Sequence, residues 1–307
     1  MKINLTRALL IAILLLNLFS NVSKAQTKKS LAENNTIHSK TVLFITGAFV
    51  TNQCWDDWKT YFEGKGYKTL APAWPYKDGT AKELRARQPN DTLLAGLTLD
   101  SVINYYAAIA KACPEKPILI GHSLGGLIVQ VLVNRGLGDA GVAIHPVPTK
   151  GVIPYERSSV RSITSSLGLF TSSQKTYMMS FSRWQYAFTN GMPLDQQKST
   201  YNDFTIPESK MVARGGLSKA AKVNYQIMHA PLLITSGTDD NILPAHLNKR
   251  NFNRYQDNGS IITYKEFAGR NHFVLGQLTW KEDADYILSW ISKYSAPAKA
   301  IANNISN

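Results

Sequence analysis

The sequence has few of the residues that would make it a disulfide-bonded or metal-binding protein. Only Cys54 and Cys113 are cysteines among its 307 residues. Cys54 follows one apolar strand pattern and Cys113 precedes another, so a parallel sheet would place them at opposite ends. A disulfide needs Cα atoms within about 7 Å of each other, so we expect none. The six histidines include no pair at the spacing of metal ligands. The sequence therefore predicts neither a bound metal nor another cofactor.

Long hydrophobic runs are also scarce. The apolar run over residues 8–19 is shorter than the ~20 residues that span a bilayer, so no stable membrane span is expected. Lys2 and Arg7 precede it, and the small-x-small pattern Ser23-Lys24-Ala25 follows it. We predict that residues 1–25 are a signal peptide cleaved near Ala25, which makes the mature residues 26–307 secreted or periplasmic. The alternative is an uncleaved membrane anchor.

Dense charge of one sign is missing as well. The formal net charge is +13, and removing residues 1–25 takes away Lys2, Arg7 and Lys24 and no acid, which leaves +10. The other basic residues are scattered and do not interleave with aromatic residues in one run. No nucleic-acid partner is therefore expected, and the charge predicts a basic, well-solvated surface.

The chain does contain a regular alternation of apolar strands and helical segments. Strand patterns cover residues 41–46, 67–75, 116–123, 140–146, 231–237 and 260–267, and helical patterns stand between most of them. Fully apolar strands that alternate with helices are typical of a parallel sheet covered on both faces. The predicted fold class is α/β, with a mostly parallel central sheet and helices on both faces.

The alternation breaks between about residues 148 and 229 and then resumes. This stretch is rich in Ser, Thr, Met and aromatic residues, and it has helical patterns at residues 173–188 and 193–204. Because the strands resume afterwards, we interpret it as a helical cap or lid inserted after the strand near 141–146. An independent second domain is the alternative.

A serine stands between glycines where one strand meets the next helix. Gly121-His122-Ser123-Leu124-Gly125 has the G-x-S-x-G pattern of a nucleophile elbow, in the strand–turn–helix context that the pattern requires. This turn would expose Ser123 at the carboxyl edge of the sheet, where open α/β folds bind ligands. The Leu124 amide, at the start of the helix, would face a developing oxyanion.

A serine nucleophile needs a base and a group that orients the base. Asp239 and Asp240 follow the strand at 231–237, and His272 follows the strand at 260–267. Both positions lie at the same sheet edge as Ser123, and the order Ser, Asp, His is the order of the α/β-hydrolase triad. The residues alone leave the choice between the two aspartates open.

These motifs resemble the α/β-hydrolase superfamily, in particular its esterase- and lipase-like serine hydrolases with a helical cap. The resemblance covers about residues 40–294. The pattern G-x-x-D-x-x-[VL]-P fits Gly237, Asp240, Leu243 and Pro244, which implies that Asp240 is the triad acid and Asp239 the fallback. The segment Asn271-His272-Phe273 resembles the loop of the catalytic histidine.

The resemblance also implies a second oxyanion donor. The segment ITGAFVTNQCWDDW at residues 45–58 is similar to the family's H-G-A-F/W…C-W-x-x-W stretch, which assigns the second amide to Ala48. Thr46 stands where the histidine of that pattern usually stands. The donor is a backbone amide, so we expect the hole to tolerate this departure.

The predicted function is a secreted serine hydrolase that cleaves a small-molecule or lipid carboxylic ester through an acyl-enzyme. Phe49, Trp55, His122 and His145 are candidate pocket residues, and a structural role is the alternative for both histidines. Acyl transfer, thioester or amide hydrolysis, and perhydrolysis would use the same triad. A non-catalytic binding protein of the same fold is the alternative from another class.

Overall fold

The computed structural model describes residues 33–167 and 171–295. The predicted signal peptide lies outside the described residues. Six strands form one sheet in which every pairing is parallel. They are β1 (Thr41–Ile45), β2 (Lys68–Leu70), β3 (Ile118–His122), β4 (Ala140–Ile144), β5 (Leu232–Gly237) and β6 (Ile262–Phe267). The predicted parallel α/β sheet is confirmed, and only β2 is much shorter than its pattern.

The strands lie in the order β2-β1-β3-β4-β5-β6. The chain therefore reverses its direction of winding between β1 and β3, and the crevice at the carboxyl ends of these strands is where open α/β sheets bind ligands. Proline explains the short β2, because Pro72 and Pro75 follow Leu70 and proline cannot donate to a strand ladder.

Side chains of the central strands alternate between two buried clusters. Phe44 and Ile120 belong to the cluster on one face, while Leu43 and Leu119 belong to the cluster on the other. This alternation is the two-residue period of a strand. Because both faces of these strands are buried, their sequences are continuous apolar runs. Packing on both faces also holds the carboxyl ends of the strands in position.

Helices cover both faces of this sheet. Residues Leu99–Ala112 form a helix that begins with a capping box between Thr98 and Ser101, and Pro114 follows shortly after its end. The other helices outside the insertion are Asp56–Glu63, Ala81–Ala86, Thr92–Ala95, Leu124–Asn134, Ala245–Phe252 and Trp280–Tyr294.

The stretch between β4 and β5 contains four of the helices in the described residues: Arg157–Leu167, Phe181–Ala187, Leu194–Phe204 and Lys210–Gly215. The third coincides with the pattern at residues 193–204, whereas the second covers only the carboxyl half of the pattern at residues 173–188. The first is rich in serine, a weak helix former, and the fourth is only six residues long, so neither gave a pattern. An antiparallel bridge between Val50 and Thr205 ties this insertion to the loop after β1.

Cys54 and Cys113 are both free thiols, as expected from their positions. Burial raises the pKa of the Cys54 thiol far above its ordinary value, so the thiol stays protonated and packs as an apolar side chain. Among the described residues, none of the helices is long and apolar enough to cross a bilayer.

Candidate active site

Ser123 occupies the sharp turn between β3 and the helix Leu124–Asn134, with φ 57° and ψ −118°. A positive φ is unusual for a residue with a side chain. The turn at Ser123 also brings the adjacent strand and helix backbones close together, so the residues that flank it must be small. A Cβ on Gly121 would lie 2.3 Å from the Gly125 carbonyl oxygen, and a Cβ on Gly125 would lie 2.0 Å from the Ile45 carbonyl oxygen. The two glycines are therefore required by close backbone contact.

The structure brings the three predicted triad residues into one chain of hydrogen bonds. His272 Nε2 lies 2.9 Å from Ser123 Oγ, and His272 Nδ1 lies 2.8 Å from Asp240 Oδ2. All three side chains are buried, with exposed fractions of 7% or less. Asp239 is exposed and instead accepts a hydrogen bond from Thr238, so the geometry selects Asp240 as the partner of His272.

The two oxygens of Asp240 have separate partners. Oδ1 accepts hydrogen bonds from the backbone amides of Ile242 and Leu243, at 2.8 Å each, and Oδ2 faces His272. Burial alone would raise the pKa of the Asp240 carboxyl, but the charges and hydrogen bonds of His272 and His145 outweigh burial and hold this pKa well below its ordinary value. Asp240 is therefore ionised at neutral pH.

A second histidine shares this carboxylate. His145 follows β4 with a φ of 43°, is fully buried, and places its Nδ1 3.0 Å from Asp240 Oδ2. Because an ionised carboxylate only accepts hydrogen bonds, Nδ1 of His145 carries the proton. The strand pattern at residues 140–146 ends beside His145, which agrees with its place at this sheet edge, but its contact with Asp240 spans 95 residues and no local pattern predicts it.

His122 supports the histidine loop from the opposite side. Its Nε2 lies 2.7 Å from the His272 carbonyl oxygen, so this nitrogen donates its proton. Burial, together with the nearby rings of His272 and His145, holds the pKa of His122 well below its ordinary value. His122 is therefore a neutral structural donor, in line with its position beside the nucleophile.

The ligand atoms of His145, Asp240 and His272 lie within 4.8 Å of one another, which raises the question of a metal site. Ligands around a tetrahedral zinc, with bonds of about 2.0–2.1 Å, lie roughly 3.4 Å apart. The 2.8 and 3.0 Å spacings found here are shorter and match hydrogen bonds to one shared oxygen. The arrangement is therefore one carboxylate oxygen that accepts hydrogen bonds from two histidine rings.

The loop after β1 comes close to the nucleophile. A Cβ on Gly47 would lie 2.9 Å from the His122 carbonyl oxygen and 3.0 Å from Ser123 Cβ. The Phe49 amide donates to Glu208 Oε2 at 3.1 Å and is not available to a substrate. Ala48 and Leu124 line the cavity beside Ser123, where their amides are the predicted oxyanion donors.

Thr46 replaces the histidine that the resemblance led us to expect in this loop. It is buried, and its carbonyl oxygen accepts a 3.1 Å hydrogen bond from the Trp74 indole. A buried tryptophan therefore anchors the start of the loop without a histidine.

An apolar cavity of about 140 Å³ opens onto Ser123 and His272. Apart from these two residues, Ser162 is its only polar lining residue in the part of the chain that the structure describes. The other lining residues are apolar: Ala48, Phe49, Leu124, Val147, Pro148, Val152, Pro154, Ile163, Leu167, Met179, Phe188, Ala213, Gly216, Leu217, Ile242 and Leu243.

Of the four candidate pocket residues, the structure places only Phe49 in the lining of this cavity. Trp55 is a correction: it is fully buried and stacks on Phe44, with ring centroids 4.7 Å apart, beneath the sheet surface. His122 and His145 also lie outside the lining, because their rings point at the His272 loop and at Asp240. An aromatic residue in a strand-end loop can face the core or the crevice, and sequence alone does not separate the two.

Residues 42–281 of the chain match a family model described as "Alpha/beta hydrolase family". The match covers more than half of the sequence. The protein belongs to the alpha/beta hydrolase family. This membership confirms the predicted superfamily.

Solved structures share the hydrolase fold at low sequence identity. A monoacylglycerol lipase from Paleococcus ferrophilus is 19% identical with a TM-score of 0.61, over 85% of this chain and 97% of the lipase. A pyrethroid hydrolase from Sphingobium faniae JZ-2 is 19% identical with a TM-score of 0.59, over 85% and 99%. Tomato methylketone synthase I is 15% identical with a TM-score of 0.60, over 84% and 99%. No curated protein sequence matches the chain with significance.

Proposed function

We propose that the protein is a serine hydrolase that cleaves neutral, lipophilic carboxylic esters. The observation that carries this proposal is the buried chain from Ser123 Oγ through His272 to Asp240, with links of 2.9 and 2.8 Å, at the wall of an apolar cavity. A lipase and a pyrethroid hydrolase are among the proteins of similar fold, and the family membership agrees with hydrolysis.

The proposed reaction follows from the positions of the protons. Ionised Asp240 accepts a hydrogen bond from the Nδ1–H group of His272, which leaves Nε2 free to take the proton of Ser123 as the serine oxygen attacks the ester carbonyl. The amides of Ala48 and Leu124 stabilise the oxyanion of the tetrahedral intermediate. His272 then donates its proton to the departing alcohol, and the same histidine activates the water that hydrolyses the acyl-enzyme.

The cavity supports a neutral and compact substrate group. Within the described residues, its lining contains no Asp, Glu, Lys or Arg side chain, and an unpaired charge is costly in apolar surroundings. An apolar cavity of about 150 Å³ in another protein holds one benzene molecule. By that scale, a cavity of about 140 Å³ accepts an acyl or alcohol group of about six carbons.

We also propose that the protein is exported and that the insertion between β4 and β5 is a cap over the cavity. The signal-like residues 1–25 support a secreted or periplasmic enzyme, and N-terminal sequencing of the exported protein should begin at Gln26. The insertion between β4 and β5 contributes Ile163, Met179 and Leu217 to the cavity lining, which supports its role as a cap.

The first test is hydrolysis of p-nitrophenyl esters from acetate to palmitate by the purified protein, beside Ser123→Ala. We expect turnover that peaks near the hexanoate ester and is lost in the variant. A folded wild-type protein that labels with a fluorophosphonate but hydrolyses no ester would reject ester hydrolysis and leave an acyl acceptor other than water as the alternative. No turnover and no labelling would favour a binding protein.

A further inference from the structure

A buried ion pair lies beside the loop after β1 and outside the triad. Lys77 is 2% exposed and Glu208 is fully buried, and Lys77 Nζ donates to Glu208 Oε2. The same ammonium lies 3.7 Å from the centroid of the Trp74 ring. Burial of a charge pair is costly unless further hydrogen bonds satisfy it, so Glu208 needs partners in addition to Lys77.

Each oxygen of the Glu208 carboxylate accepts a backbone amide. Oε2 accepts the Phe49 amide at 3.1 Å in addition to Lys77, and Oε1 accepts the Ser209 amide at 2.8 Å. The neighbouring backbone strengthens the connection, because the Ile206 amide donates to the Phe49 carbonyl oxygen at 2.8 Å. Both polar groups of the Phe49 backbone are therefore held by the insertion.

Phe49 needs such support because of its backbone conformation. Its φ is 69°, a region that bulky residues rarely adopt and that persists only where the surroundings enforce it. Ala48, the predicted oxyanion donor, directly precedes it in the chain. The hydrogen bond from the Phe49 amide to Glu208 fixes the peptide plane between Ala48 and Phe49, and this plane constrains the path of the loop that carries the Ala48 amide.

We propose that Glu208, neutralised by Lys77, is a positioning residue that holds the loop of Ala48 and Phe49 in the conformation required of an oxyanion hole. Glu208 does not line the cavity and acts through the Phe49 amide, so it is not a catalytic residue. The inference rests on the proposed function, because an oxyanion hole matters only if Ser123 forms a tetrahedral intermediate.

Glu208→Gln is the informative substitution. A glutamine side chain has one oxygen and one amide group, so it cannot accept both the Phe49 and the Ser209 amides, and its NH₂ group would face an N–H group. Loss of one oxyanion donor lowers kcat by about 10²–10³. We expect Glu208→Gln to lower kcat at least tenfold with KM changed less than threefold.

Two readouts separate positioning from general structure. The first is kcat and KM for p-nitrophenyl hexanoate. The second is the rate at which a fluorophosphonate labels Ser123, a step in which the Ser123 Oγ–P bond forms, fluoride leaves and His272 takes the serine proton. Because the phosphoryl oxygen occupies the oxyanion hole, labelling should slow at least tenfold in Glu208→Gln while the melting curve stays cooperative.

Glu115→Gln is the matched control. Glu115 accepts a backbone amide and two hydroxyl groups at the amino end of β1, from Lys40, Ser39 and Thr41, which is the opposite edge of the sheet. The same chemical change at this carboxylate should leave kcat and the labelling rate within twofold of wild type.

A double variant covers the case in which Glu208→Gln leaves Lys77 unpaired and the protein unfolds. Lys77→Met with Glu208→Gln removes both charges and keeps the side-chain volumes, so we expect the double variant to fold and still to show the tenfold losses of kcat and labelling rate.

Wild-type kcat and labelling rates in a folded variant without the carboxylate would overturn the inference. Labelling without ester turnover in wild type would reject the proposed function alone, since the labelling ratio still tests Glu208. A wild-type protein that does neither would reject both.

Discussion

Replacing Asp240 with asparagine should remove the orientation of His272 while leaving the fold intact. The Asp240 side chain accepts the Ile242 and Leu243 amides at Oδ1, both at 2.8 Å. The single oxygen of asparagine must take this position, because two N–H groups point at it. The NH₂ group must then take the position of Oδ2, which faces Nδ1 of both His272 and His145.

This geometry sets the size of the effect. An NH₂ group donates, so His272 must leave Nδ1 unprotonated and carry its proton on Nε2, 2.9 Å from Ser123 Oγ. A ring in that tautomer cannot take the serine proton. The equivalent change in a serine protease lowers kcat about 10⁴-fold, which corresponds to roughly 5 kcal/mol in the barrier. We expect the same loss here, with little change in KM.

The assay is hydrolysis of p-nitrophenyl hexanoate by Asp240→Asn, with Asp239→Asn as the control. Asp239 is exposed and contacts Thr238, so its variant should keep wild-type kcat. Thermal unfolding checks that both variants are folded. A folded Asp240→Asn within tenfold of wild-type kcat, or a large loss in Asp239→Asn, would refute the assignment of the triad acid.

Three further predictions follow from the site. The ring of His122 should not titrate between about pH 5 and 8 in NMR spectra, because burial and the nearby rings of His272 and His145 hold its pKa well below its ordinary value; a titration in that range would contradict its role as a neutral donor. Gly125→Ala should destabilise the fold by more than about 3 kcal/mol in chemical denaturation, since its Cβ would lie 2.0 Å from a backbone oxygen; unchanged stability would contradict the elbow packing. Ile163→Trp should narrow the cavity and raise the acetate-to-octanoate activity ratio several-fold; an unchanged ratio would place the acyl group elsewhere.

The sequence predicts well what local physical rules determine. Apolar runs of five or six residues that end in glycine or polar loops specify the parallel strands, and the strand–turn–helix pattern around Ser123 specifies the elbow. Asp240 and His272 follow successive strands, so the parallel sheet alone places them at one edge. The strand β2 is shorter than its pattern because prolines end a strand whose residues otherwise fit it.

Contacts between distant segments account for what the sequence did not predict. Glu208 meets Lys77 across 131 residues, and His145 meets Asp240 across 95, so no spacing rule relates them. The position of Trp55 after a strand end favours a place in the pocket, but the turn of the chain directs its ring onto Phe44. The direction in which a loop side chain points depends on its packing partners, which only the folded chain defines.

The strained residues of the site show why those distant contacts matter. Three non-glycine residues with positive φ, Phe49, Ser123 and His145, lie at this one edge of the sheet, and each such conformation costs about 1–3 kcal/mol. Their summed cost is comparable in size with the net free energy of unfolding of a typical protein, about 5–15 kcal/mol. Each is held by an amide hydrogen bond to a partner far away in sequence or on the next strand. Glu208 accepts from Phe49, Ile144 from Ser123 and Thr235 from His145. Ile144 and Thr235 accept through their backbone carbonyl oxygens, whereas Glu208 accepts through its side chain. Of the three partners, Glu208 is therefore the one whose substitution removes the hydrogen bond, and its loss should affect turnover more than substrate binding.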